Sequence, residues 1–66
     1  MEYTYYSLYR PVDIGTYPKN PVKPLKFVNF EGRMDTGKGF EAWGYLVYPE
    51  LLSDEQARNY ELKLAD

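Results

Sequence analysis

Phe40-Glu41-Ala42-Trp43-Gly44-Tyr45-Leu46-Val47-Tyr48 is the longest apolar and aromatic run in the chain, interrupted by a single charge. Aromatic and β-branched residues in a stretch this short read as a strand. Alternation places Phe40, Ala42, Gly44, Leu46 and Tyr48 on one side, and Trp43, Tyr45 and Val47 on the other with Glu41 at the edge. Both sides are apolar, so the strand is expected at the centre of a sheet with both faces covered. A helix should cover one face, and a proline-rich segment or a second subunit the other. Gly44, inside a strand, marks the close approach of another backbone.

Working upstream, Glu31 to Gly39 reads as a loop with three glycines between Gly32 and Gly39. It is long for a hairpin connection. Leu25 to Glu31 alternates Leu25, Phe27 and Asn29 with Lys26, Val28 and Phe30, and reads as a second strand. Pro11, Pro18, Pro21 and Pro24, with Gly15, define a connector between them and the first strand. Proline lacks the N–H a ladder needs and has a fixed φ, which lowers the entropy lost on ordering. Val12, Ile14, Tyr17 and Val22 predict that this connector lies against the sheet. The first strand, Tyr3 to Arg10, puts Tyr3, Tyr5, Ser7 and Tyr9 on one face and Thr4, Tyr6 and Leu8 on the other.

Downstream of the quoted stretch, Pro49 ends the strand and Leu52-Ser53-Asp54-Glu55-Gln56-Ala57 opens a helix. Ser53 is the expected N-cap, Gln56 the far half of a capping box, and Leu52 a staple against Ala57. Asp54 and Glu55 oppose the positive end of the helix dipole. Ala57, Tyr60 and Leu64 lie on one stripe, and the helix is expected from about Asp54 to Leu62.

Composition narrows the function more by exclusion than by assignment. Sixty-six residues make one domain, and a chain of this size buries only about 60% of its unfolded surface. Cysteine and histidine are both absent, which removes disulfides and a thiolate or imidazole zinc site as sources of stability. The lack of cysteine, of a signal-peptide pattern and of a run approaching the ~20 apolar residues of a membrane span points to a cytoplasmic protein. Net charge is −2, unevenly spread. Arg10 to Lys38 carries six basic residues against three acidic, and Gly39 onward two against six.

Two loop motifs resemble chemistry without its context. Gly32 to Lys38 fits G-x-x-x-x-G-K, but Gly39 stands where a Mg²⁺-binding Ser or Thr belongs, and a strand follows where a helix N-terminus should receive phosphate. Asp35-Thr36-Gly37 has the letters of an aspartic-protease motif but no hydrophobic strand leading into it. No catalytic residue, cofactor-binding residue or metal ligand is therefore assigned, and no enzyme activity or small-molecule substrate is expected.

Twelve aromatic residues are many for so small a core, and tyrosine, tryptophan and arginine are enriched at interfaces. The reading is a non-catalytic protein-interaction or accessory module that binds a protein partner or a second copy of itself, with no membrane. Tyr6, Arg10, Tyr17, Trp43 and Tyr45 are the candidate partner-binding residues. The alternative is a single-stranded nucleic-acid module, in which strand aromatics stack bases while Lys23, Lys26, Arg33 and Lys38 follow the backbone.

Tyr6 to Lys19, Glu41 to Tyr45 and Leu52 to Leu62 together resemble small uncharacterised proteins of gut Firmicutes that accompany conjugative or other mobile elements. The resemblance spans nearly the whole chain and implies a bacterial cytoplasmic accessory protein, without assigning an activity. The expected fold is α+β: a three-stranded, mainly antiparallel sheet, with strands near 3–10, 25–31 and 40–48 and one C-terminal helix packed on one face. Strand order stays open. With the last strand central, the first and third would run parallel and the proline segment would form part of a crossover; a meander would put the second in the middle.

Overall fold

The computed structural model describes residues 2–13, 15–20 and 22–65; Ile14 and Pro21, singled out in the connector, lie outside the described residues. Four strands and one helix follow in the order β1 (Tyr3–Ser7), β2 (Lys26–Asp35), β3 (Glu41–Tyr48), α1 (Asp54–Asn59) and β4 (Leu62–Leu64). They form a small α+β unit with one antiparallel sheet of order β2-β3-β1-β4. β3 is interior, as its apolar character requires. It pairs antiparallel with both β1 and β2, so β1 and β2 run in the same direction on either side of it, and the expected parallel run of the first and third strands is corrected. The proline segment is the crossover that joins β1 to β2.

The first strand stops at Ser7, short of Arg10, because the chain turns there. The Ser7 hydroxyl donates to the Arg10 carbonyl at 2.5 Å. β2, in contrast, runs on through Gly32 and Arg33 to Asp35. A register shift between Asn29 and Met34 absorbs the extra residues, and Gly32 takes a positive φ of 107° there. Half of the expected glycine loop is thus strand, and the turn itself is short. Thr36 closes it, with its N–H and hydroxyl both donating to the Phe40 carbonyl at 3.1 and 2.9 Å.

The helix begins as the capping signals require, with Ser53 Oγ accepting from the Gln56 N–H at 3.1 Å. The Gln56 side chain turns to the crossover, where its amide N–H donates to the Asn20 carbonyl at 2.5 Å. The helix ends at Asn59, and Glu61 adopts a left-handed φ of 57°. Leu62-Lys63-Leu64 then leaves as β4, antiparallel to β1 with Tyr5 opposite Leu64 and Ser7 opposite Leu62. The sheet therefore has four strands, and the expected extension of the helix to Leu62 is corrected. A fourth strand covers what would have been the bare edge of β1.

One face of the sheet is the core. Tyr5, Leu46, Tyr48 and Leu62 meet Val12 and Tyr17 from the crossover and Leu52 from the approach to the helix, with Val22, Ala57 and Tyr60 packed around them. Helix and crossover lie on the same face, not on opposite ones. The buried tyrosines keep their hydroxyls satisfied by reaching loop backbone: Tyr48 donates to the Pro18 carbonyl at 2.7 Å, and Tyr5 accepts from the Leu52 N–H at 3.0 Å. Their rings meet edge to face, with centroids 5.8 Å apart. Burial, reinforced by the neighbouring phenols of Tyr17, Tyr60 and Tyr5, pushes the Tyr48 hydroxyl well above the ordinary tyrosine range.

A side-chain clamp attaches the crossover to the sheet. The Asn29 amide accepts from the Val12 N–H and donates to the Val12 carbonyl, each at 2.6 Å, imitating one rung of a β-ladder. Asn29 stands opposite Gly44. A β-carbon on Gly44 would fall 2.3 Å from the Val28 carbonyl oxygen and 3.1 Å from Asn29 Oδ1. Glycine at position 44 thus admits both the neighbouring backbone and the clamp.

Candidate functional site

The second face of the sheet carries the side chains that strand alternation sends away from the core. Register pairs Tyr6 with Tyr45 and with Lys63, and Val28 with Tyr45. The rings form a cluster: Tyr6 lies 6.1 Å from Tyr45, Phe30 lies 6.0 Å from Tyr45, and Phe40 lies 5.5 Å from Tyr6. Lys63 places its ammonium 5.5 Å from the Phe40 centroid, a cation–π contact at the β4 margin. Phe40 departs from the expected alternation. It precedes β3 and turns to the Tyr6 side instead of joining Ala42 and Leu46.

Tyr6, Phe30, Phe40, Trp43 and Tyr45 are all half-buried. Each ring is sheltered by its neighbours on the sheet; the helix and the crossover both pack on the opposite face. At the far end of β2 and β3, Arg33 pairs with Glu41 at 3.3 Å, so the hairpin end of this face is locally neutral. The arrangement suits association: a cluster of rings packed edge to face or tilted across neighbouring strands, with the hydroxyls of Tyr6 and Tyr45 at their tips.

The five candidate residues separate accordingly. Tyr6 and Tyr45 come together on the open face, and strand alternation puts Trp43 on the same side. Tyr17 is buried in the core, under the crossover. Arg10 lies past the end of β1 and pairs with Glu61, where it holds the turn before β4. The basic residues of the nucleic-acid alternative also divide: Arg33 is engaged with Glu41, and Lys38 occupies the hairpin tip, bonded through its N–H to Thr36 Oγ1 at 3.2 Å. Lys23 and Lys26 line a groove beside Phe27. Phe30 and Phe40 were not singled out from the sequence, because a ring on an edge strand or beside a glycine carries no local mark of which face it will take.

Among the described residues, no group of three or more acidic, His or Cys side chains could hold a metal ion, and no helix is long and apolar enough to cross a membrane. The fold and its open face define a small α+β module with one self-covered and one uncovered aromatic side. The chain belongs to the family described as Defence against restriction A C-terminal, whose model matches residues 1–66. This is an accessory family concerned with defence against restriction, in keeping with the mobile-element character of the resemblance noted from the sequence. Neither the curated proteins nor the solved structures contain a match to the chain.

Proposed function

We propose that this chain is a non-catalytic, cytoplasmic binding module that contributes to defence against restriction by docking a protein partner on its open aromatic face. One observation carries the reading. Among the described residues the helix and the crossover pack on one side of the sheet, leaving Tyr6, Phe30, Phe40 and Tyr45 clustered on the other, with Trp43 beside them by strand alternation. Rings held on strands lose little conformational freedom when a partner arrives, which is why such residues dominate interface energetics.

The absence of an activity of its own is supported by how the reactive-looking groups are used. The hydroxyls of Tyr5 and Tyr48 hold loop backbone, and burial makes Tyr48 a poorer acid instead of an activated one. Asp35 accepts from the Gly37 N–H at 2.8 Å and shapes the hairpin turn.

The test combines Phe30→Thr with Tyr45→Thr. Threonine keeps the strand preference while removing the rings. The variant should fold, yet fail to protect unmodified DNA from restriction in a plating assay. Full protection by a folded variant would refute the reading. Sedimentation at rising concentration identifies one class of partner: a mass increase abolished by the same substitutions means that the docked protein is a second copy of the chain.

A further inference from the structure

A separate feature lies on the edge strand, away from the open face. A groove of about 390 Å³ is lined by Tyr17, Lys19, Lys23, Leu25, Lys26 and Phe27. No acidic residue occurs between Asp13 and Glu31, and the Arg10–Glu61 and Arg33–Glu41 pairs lie elsewhere. Three lysines therefore line one groove along a stretch of chain that carries no acidic residue. Like charges gathered along a groove attract an incoming anion.

The rings in the groove have a matching geometry. Phe27 is 50% exposed, because it sits on β2 where the crossover no longer covers the sheet. Tyr17 backs it at 5.9 Å with the planes only 33° apart. The Lys19 ammonium stands 5.4 Å from the Tyr17 centroid. An exposed ring face with cations beside it presents a stacking surface and charge for a phosphate together.

We infer that this groove is a binding site for single-stranded nucleic acid, with one base stacked on Phe27 and the phosphodiester backbone running past Lys19, Lys23 and Lys26. The volume lies near the small end of the ~300–1,000 Å³ typical of ligand pockets, room for a single nucleotide unit. Three cations exceed what one phosphate needs, so a chain of phosphates continuing beyond the groove fits better than a free nucleotide. An acidic peptide would neutralise the lysines but has no flat ring at each unit to use Phe27.

Fluorescence anisotropy of a fluorescein-labelled oligothymidylate, titrated with the intact chain across a range of salt concentrations, tests the site. Neutralising three phosphates predicts that log affinity falls against log salt with a slope of about −2, at about −0.7 per phosphate on a single strand. Lys19→Gln, Lys23→Gln and Lys26→Gln should each flatten the slope by about 0.7. Phe27→Ala should weaken binding on the order of tenfold and leave the slope alone. The three lysines are exposed, so their variants report even if Phe27→Ala misfolds. Phe30→Thr, on the other face, should leave affinity unchanged, which separates this site from the protein-docking one. The inference is overturned by no anisotropy change at low salt, by thymidine monophosphate competing as well as the strand, or by poly-glutamate binding more tightly. It is overturned equally by lysine variants that keep the full slope, or by loss of binding on Phe30→Thr.

Discussion

The two faces of the sheet draw on the same kind of residue and use it in opposite ways. On the covered face, Tyr5 and Tyr48 are buried to 3% and 0% exposure and their hydroxyls anchor the connecting segments. On the open face, Tyr6 and Tyr45 meet each other and the rings of Phe40 and Phe30, and among the described residues the helix and crossover pack on the opposite side. A tyrosine surrounded on all sides fixes the fold, because moving it leaves a hole and two unpaired polar groups. A tyrosine supported only from below can be changed at modest cost, which leaves it available for a partner.

The largest expected effect falls where the covered face has no slack. Gly44→Ala should leave no folded protein by circular dichroism. The new carbon would meet the Val28 carbonyl oxygen at 2.3 Å, and β2 would have to separate from β3. A domain of this length has about 3–10 kcal/mol in all, which cannot absorb the loss of a strand pairing. Leu46→Ala, at a position with no exposure, should cost about 2–5 kcal/mol in urea unfolding. Tyr45→Thr, directly across the strand, should cost about 1 kcal/mol, the worth of its edge-on ring contacts. Equal costs at positions 46 and 45 would erase the distinction between the faces.

Asn29→Ala follows at about 2 kcal/mol, since it removes two hydrogen bonds and strands the Val12 N–H and carbonyl. Amide exchange at Val12 should accelerate in step. Ser53→Ala should cost about 1 kcal/mol through loss of the bond to Gln56.

Alkaline pH gives the smallest contrast. Burial makes the Tyr48 hydroxyl ionise at higher pH in the folded chain than an ordinary tyrosine, about 10, does. Above about pH 10 the unfolded chain releases a proton that the folded chain retains, so the contribution of Tyr48 to stability is level below that pH and falls as pH rises past it. Tyr48→Phe should be less stable at neutral pH by about 1 kcal/mol, from the lost bond to Pro18. Its stability should also fall less steeply above pH 10 than that of the parent.

How much of this could be read from the letters depends on how local the cause is. β3 was legible because a strand interior to the sheet carries an almost unbroken apolar run. The close approach at Gly44 and the Ser53 cap were legible because each depends on one residue type at one place. β4 was not: Leu62-Lys63-Leu64 continues the helical stripe of Ala57 and Tyr60, and what diverts it is a left-handed glutamate at position 61, a conformation usually signalled by glycine. The Asn29 clamp was hidden too, because its partner is a backbone seventeen positions away. The placement of helix and crossover on one face decides which rings are left open, and it follows from strand order, which periodicity does not encode. Of the candidate residues, Tyr6, Trp43 and Tyr45 share the open face, whereas Tyr17 and Arg10 went to the core and to a turn for reasons set by tertiary contacts.

The most direct test is protection of unmodified DNA by the Phe30→Thr, Tyr45→Thr chain, measured beside its urea midpoint. A protein that keeps most of its stability and loses protection is the expected result. A stable chain that still protects would contradict it, because the uncovered rings would then have no partner to meet.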